Sequence, residues 1–269
     1  MRLPFHLPQT IPRRVFDPES DPLPAIINVA RRLLAAGAGL VMSLAIGSAR
    51  CVGADVWGGA VSITSDYFVR GISRSDDHAA LQLDLHYSDS SGLVAGVFAS
   101  NTQIDPGAPR DAELSGYIGF LWTSGTDWRC KVLADYYGYP WNSDGSQYNY
   151  GEVDLDASYR EWLDVALSYS PSAPRFSRYG ALVRANAESA ELNLQHAIIG
   201  KFSGMAGIGY YDVGGPGPSG YAYWSAGAAY DLAPVFLSLS YVDAASAAKT
   251  LFYTSAAGGR WTGTVIWRF

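Results

Sequence analysis

From residue 55 onward the chain alternates apolar and polar residues in a period of two. Leu81, Leu83, Leu85 and Tyr87 alternate with Gln82, Asp84 and His86. Val153, Leu155, Ala157 and Tyr159 alternate with Glu152, Asp154, Asp156 and Ser158. Leu163, Val165, Leu167 and Tyr169, and then Val235, Leu237, Leu239 and Tyr241, repeat the pattern. Successive side chains of a strand point to opposite faces, so each run has one apolar and one polar face. Twelve such runs are read, at 57–71, 79–87, 93–103, 112–123, 128–138, 148–159, 162–170, 189–199, 202–213, 221–231, 234–243 and 259–269. Most have the length of about ten residues that a tilted strand needs to cross a bilayer. The pattern predicts an all-β fold, a transmembrane antiparallel up-and-down β-barrel of 12 strands. Residues 175–188 could add a strand pair, so 14 strands, like 10, stays open.

The connections support the same topology. Short ones (Ser88–Gly92, Ser124–Asp127, Arg160–Glu161, Gly200–Lys201, Asp231–Ala233) alternate with longer ones at 72–78, 104–111, 139–147, 171–188, 214–220 and 244–258. Short turns on one side and long loops on the other are the outer-membrane barrel arrangement. Aromatic residues gather at both ends of the runs. Tyr87, Trp122, Trp128, Tyr159, Trp162, Tyr230, Trp267 and Phe269 lie by the short turns; Tyr136, Tyr139, Trp141, Tyr148, Tyr150, Tyr169, Tyr211, Tyr221 and Tyr241 lie toward the long loops. We expect two girdles from them, one at each membrane interface. A soluble β-sandwich would not require runs of this length and regularity.

A different composition precedes the alternation. Arg31-Arg32 leads into the apolar stretch Leu33–Gly47, and Val52-Gly53-Ala54 fits a signal-peptidase site. Residues 1–54 are therefore expected to be leader and signal peptide, cleaved after Ala54, and 55–269 the barrel. Arg50 stands before Cys51 where a lipoprotein signal needs a small residue. No later run approaches the 18 or so apolar residues of a spanning helix, and a chain that crosses lipid without helices must do so as a closed barrel. Residues 1–54 carry six arginines and three acids, which leaves 13 basic and 22 acidic groups in the remainder, a balance of −9. Nucleic acid is a poor partner for so acidic a chain. Cys130 has no second cysteine beyond the leader, so neither a disulfide framework nor a CxxC metal site is expected.

The last run, Trp261–Phe269, alternates and ends on an aromatic residue. This resembles the signal through which barrel-assembly machinery recognises its substrates. Other segments resemble the TorF-type porins, a proteobacterial outer-membrane family whose members are mostly uncharacterised. Ser65-Asp66-Tyr67-Phe68-Val69-Arg70-Gly71-Ile72-Ser73 is similar to its opening motif, with Phe68 and Val69 in reversed order. Gly92–Asn101, Glu113–Phe120, Asp135–Pro140 and Tyr150-Gly151-Glu152 resemble later segments, although Ser115-Gly116 replaces an acidic–aliphatic pair. The resemblance covers residues 60–170 well. It implies an outer-membrane barrel and supplies no catalytic residue.

The inward parity collects Asp66, Asp84, Glu113, Asp135, Glu152, Asp154, Asp156, Asp164 and Glu191 against Arg70, Arg129, Lys131 and Arg268, a net of −5. A negative lining favours cations. We therefore expect these residues to line a narrow, mildly cation-selective channel for small solutes or ions. The same charges could instead pair across a filled lumen, with Asp66 and Arg70 sharing one face of the first strand and joining an internal ion-pair network. A plugged barrel acting through its loops is then the alternative, and Arg175, Arg178 and Arg184 of loop 171–188 suit anionic lipopolysaccharide. A lipid-modifying enzyme is disfavoured: His78, His86 and His196 have no nucleophile motif around them. No cofactor is expected. The row Glu152, Asp154, Asp156 could hold a hard cation, but a solvated lumen face accounts for it equally.

Overall fold

The alternating runs become strands in the computed structural model, which describes residues 49–51, 56–103, 111–141, 147–177, 180–215, 219–252 and 256–269. The barrel strands are β1 (Val56–Thr64), β2 (Ala80–Ser88), β3 (Leu93–Thr102), β4 (Asp111–Ser124), β5 (Trp128–Gly138), β6 (Tyr150–Tyr159), β7 (Leu163–Phe176), β8 (Leu182–Ile199), β9 (Phe202–Val213), β10 (Gly220–Leu232), β11 (Val235–Ala244) and β12 (Arg260–Arg268). Each pairs antiparallel with its sequence neighbours, and β12 returns to β1 to close a 12-stranded ring. Among the described residues one helix, α1 (Ala247–Phe252), lies in the last long connection. Among the described residues no helix is long and apolar enough to cross a membrane.

Burial is inverted relative to a water-soluble domain. Ile63, Leu81, Val97, Ile118 and Leu239 are exposed on the outer face, while Thr64, Ser100, Glu113, Glu152 and Ser170 are buried on the inner one. A continuous apolar exterior of this kind has lipid as its natural solvent. The parity also settles β3, which is ambiguous in sequence: Val97 faces out, and the buried Ser100 and Thr102 face in. At the short-turn rim, aromatic rings meet across strand seams. Trp57–Tyr87, Trp128–Tyr159 and Phe202–Tyr230 have centroids 5.3, 5.1 and 4.6 Å apart.

Three expectations are corrected. The first strand does not run to residue 71. It leaves the wall after Thr64, and Asp66 and Arg70 sit on a segment folded inside the barrel rather than on one face of a wall strand. The connection 171–188 is largely not a loop: β7 and β8 continue as a hairpin to Phe176↔Leu182, past a register shift between Ser170 and Ala173. β8 has 18 residues, about 60 Å of strand at ~3.3 Å per residue. It therefore overshoots an apolar band of about 25 Å even when tilted. Finally, Tyr139, Tyr150, Tyr211 and Tyr221 do not join the outer girdle; all four are buried inside.

A short strand, Ala49–Cys51, lies along the end of β4, with Cys51 opposite Trp122. β3 stops pairing at Phe120, which leaves that edge of β4 open to receive it. The proposed cleavage position after Ala54 and the leader before residue 49 lie outside the described residues.

Candidate functional site

The lumen is organised around the segment from Ser65 to Ala79, which crosses it. A two-stranded hairpin forms within this segment, pairing Phe68 with Ser73 and Val69 with Ile72. Its turn is Arg70-Gly71, with φ of 51° and 75°, the two positive values that a two-residue I′ turn needs. A Cβ on Gly71 would sit 2.7 Å from the Tyr223 Cβ and 2.9 Å from the Ala244 Cβ, so the turn is pressed against β10 and β11. The root of the segment is tied by the Asp66 side chain, which accepts hydrogen bonds from Ser73 Oγ (2.5 Å) and Ser75 Oγ (2.8 Å). Burial raises the Asp66 pKa, and the two serine hydrogen bonds oppose that rise.

The contacts of the segment reach both sides of the bore. Asp66 O accepts from Thr262 Oγ1 of β12 at 2.9 Å. Arg70 Nη2 donates to Glu152 Oε1 of β6 at 2.7 Å. In a closed ring of twelve, β6 and β12 are diametrically opposed. Tyr67 OH donates to Glu113 of β4 (2.9 Å), the Arg70 guanidinium lies 4.6 Å over the Tyr211 ring of β9, and Tyr221 OH of β10 donates to Arg70 O (3.0 Å). Burial alone would lower the Arg70 pKa. The Glu152 carboxylate more than reverses this, so the guanidinium stays charged. An ion pair this buried adds little net stability, because desolvation offsets the attraction. Its effect is to hold the hairpin in place.

The hairpin separates two spaces. On the long-loop side, a cavity of about 80 Å³ is lined by Arg70, Arg74, Arg175, Tyr150, Tyr211 and Phe252, among others. Below it, a space of about 480 Å³ is lined by Tyr67, Asp84, His86, Phe98, Glu113, Tyr117, Lys131, Asp135 and Tyr137.

The structure distributes the sequence-predicted residues over three levels. At the hairpin stand Asp66, Arg70, Glu152 and Glu113, the last taking a second phenol hydrogen bond from Tyr139 (2.7 Å). In the middle, Asp84 accepts from Tyr117 OH (2.8 Å) and faces His86 Nδ1 (2.7 Å). Lys131 Nζ meets Asp156 at 3.1 Å, Glu191 accepts from Tyr223 OH, and nearer the short turns Asp164 accepts from Ser158 Oγ (2.6 Å). Asp154 lies on the same face of β6 as Glu152 and Asp156. One oxygen of Asp135, Oδ2, is buried with no hydrogen-bond partner among the described residues. At the short-turn rim, Arg129 bonds the exposed Glu161 (2.8 Å) and Arg268 lies over the Phe236 ring (5.1 Å).

Reading the sequence missed Arg74 and the interior phenols. The phenols carried a signal: Tyr150 shares parity with Glu152, and Tyr139 with Asp135 and Lys131. Among the described residues no three of His, Cys, Asp or Glu come together as a metal site. The row on β6 is divided, with Glu152 bound to Arg70 and Asp156 to Lys131. Arg175 donates to the carbonyls of Val213 and Gly214, and Arg184 to those of Gln147, Asn149 and Ser172. Arg178 lies outside the described residues. His196 is exposed on the outer face near the short-turn end of β8.

The sequence pattern of Gcw_chp, described as a bacterial protein family of unknown function, matches residues 51–269. No curated protein matches the sequence significantly. Among solved structures the fold is similar to the KdgM porin, with a TM-score of 0.51 at 10% identity over 79% of this chain and 99% of the porin. It is similar to the NanC porin, with a TM-score of 0.50 at 11% identity over 78% and 98%. An outer membrane channel from Pseudomonas putida F1 follows with a TM-score of 0.48 at 13% identity over 82% and 97%. At these identities the likeness is one of fold.

Proposed function

Given that this chain belongs to the Gcw_chp family, whose function is unknown, we propose that it is an outer-membrane porin of the TorF type. It carries small solutes or ions by passive diffusion, with a mild preference for cations. One observation carries the reading: a barrel with an apolar outer face encloses a water-accessible space of about 480 Å³ bordered by Asp84, Glu113 and Asp135. Carboxylates outnumber cations there, and a low-dielectric wall strengthens their effect on a passing ion. In this reading the short turns face the periplasm, the long loops face outward, lipid and lipopolysaccharide surround the belt, and the strand ending at Phe269 engages the assembly machinery during insertion. We assign no catalytic residue and no cofactor.

A second reading has a specific observation behind it. The Ser65–Ala79 segment spans the bore, which favours a plugged barrel working through its loops. Planar-bilayer recording of the protein purified from outer membranes, with a salt gradient across the bilayer, separates the two. Discrete steps with a reversal potential of cation sign support the channel. A silent bilayer containing heat-modifiable, β-rich protein would favour the plug.

A further inference from the structure

We propose that the Arg70–Glu152 pair is the charge filter of the channel, carried into the bore by the first long connection. The proposal rests on the channel reading above and adds to it where selectivity is set and by which residues.

The Arg70 hairpin crosses the described lumen from wall to wall. It is held from β12 through Asp66 O and Thr262, and from the opposite wall through Arg70 and Glu152. Tyr211 and Tyr221 close the third side, with the Arg70 guanidinium over one ring and the Arg70 carbonyl on the other's hydroxyl. Glu152 in turn lies opposite Asp135, which lines the 480 Å³ space, so the pair sits between the two spaces. Arg70 lines the upper space, and the lower one begins at Tyr67 and Glu113.

The charges that face the pair are unequal on its two sides. Glu152 lies opposite Asp135 of β5 in the ladder and shares its face of β6 with Asp154. Arg70 shares its cavity with Arg74, Arg175 and Asp76. Glu113, near Arg74, has both carboxylate oxygens occupied by the hydroxyls of Tyr67 and Tyr139. A cation arriving from below therefore meets Asp135 and Asp154 first and then a neutral pair whose positive half points toward the upper space. Losing either half leaves an unpaired charge of known sign on the segment that crosses the lumen.

This dictates opposite responses. Arg70→Asn removes the positive half while keeping a residue that tolerates the left-handed turn at φ 51°. The cation-to-anion permeability ratio should rise about twofold or more, and unitary conductance should rise with it. Glu152→Gln leaves Arg70 charged, and the ratio should fall by a similar factor. Arg70→Lys should lie close to wild type. A pair that only braced the hairpin would shift both variants the same way.

The experiment is reversal potential and unitary conductance of the full-length protein and these three variants in a potassium chloride gradient, with heat-modifiable migration as the check of folding. A fourth protein with residues 67–74 replaced by a short Gly-Ser linker completes the set. Opposite shifts for Arg70→Asn and Glu152→Gln support the filter. Shifts of equal sign, or none, in conducting proteins overturn it and leave the channel reading standing. A silent wild type with a conducting Arg70→Asn overturns the filter, because the pair is then the latch of a plug. Conduction by the linker protein alone overturns it in favour of a plug held by other contacts. Silence in all folded proteins removes the channel reading itself.

Discussion

The two halves of the lumen are built from the same wall strands by opposite rules. Toward the long loops, the interior is filled: Tyr139, Tyr150, Tyr211, Tyr221 and Tyr223 are buried with Val213, Leu251 and the alanines of β7, β8 and β11. Toward the short turns, the inner face keeps its carboxylates and leaves an open space. The upper half therefore behaves as a small, closely packed protein core, although buried polar atoms of Asp66, Arg74, Thr102 and Asp111 have no hydrogen-bond partner among the described residues. The lower half behaves as a solvated vestibule. A barrel wall does not decide whether its interior is packed or wet. The inward residues and the connection folded onto them decide it.

The largest expected break in that contrast is Gly71→Val. The turn needs φ of 75°, and the new side chain would meet the Tyr223 and Ala244 Cβ atoms. The left-handed backbone alone costs about 1–2 kcal/mol for a residue with a Cβ, and the clash adds to it. We expect the hairpin to leave the bore, unitary conductance to rise several-fold and the 65–79 segment to become accessible to protease. A conductance and a digestion pattern identical to wild type would mean that the upper half is not held as a core.

Neutralising Asp135, Asp154 and Asp156 together should act on the lower half instead. Cation preference should weaken in a salt gradient while the digestion pattern stays as in wild type. Glu152 is left out of this set because Arg70 depends on it. Should preference persist, the vestibule does not contribute to selectivity.

Tyr139→Phe should have a smaller effect, confined to the core. Glu113 would keep Tyr67 and lose one phenol hydrogen bond in a buried setting, a loss of about 1–2 kcal/mol. A lower temperature for the shift in gel mobility, at unchanged selectivity, is the expected result. Smallest of all is Arg160→Ala at the short-turn rim. Hydrogen bonds from Arg160 hold the exposed Asp127 carboxyl below its ordinary range. A depressed carboxylate pKa stabilises the fold above the ordinary value, and that contribution is lost as pH falls through the depressed one. The variant should therefore match wild type in acid and differ barely, if at all, at neutral pH.

Most of the wall was legible because alternation is a local signal. The expected runs 128–138 and 202–213 coincide with β5 and β9, and the inward acids of β2, β5 and β6 follow parity alone. What stayed hidden is non-local. Nothing near Thr64 in sequence says that the next fifteen residues turn inward, since the alternation of Tyr67, Val69 and Gly71 mimics a continuing strand. The hairpin turns because Arg70 and Gly71 adopt positive φ and Arg70 finds Glu152, 82 residues away. The interior tyrosines were misplaced for a related reason. Position near a loop suggested an interface, but parity, which put Tyr150 beside Glu152, was the better guide. The overshoot of β7 and β8 contains two prolines, Pro171 inside the register shift between Ser170 and Ala173 and Pro174 just past it, and an irregularity of this kind is where a strand tolerates proline.

The early departure of β1 from the wall has a consequence for how the ring is held shut. Its ladder with β12 runs only from Thr264↔Thr64 to Arg268↔Ala60, the shortest between any two barrel strands. Beyond it the seam is continued by the root of the hairpin: Ser65 N donates to Gly263 O, Gly263 N to Ser65 Oγ, and Thr64 and Thr262 both donate to Asp66 O. The obstruction in the bore is thus also the clasp of the cylinder. Pulling the hairpin out would loosen the joint between first and last strand, so clearing the bore and sideways parting of the wall are mechanically linked.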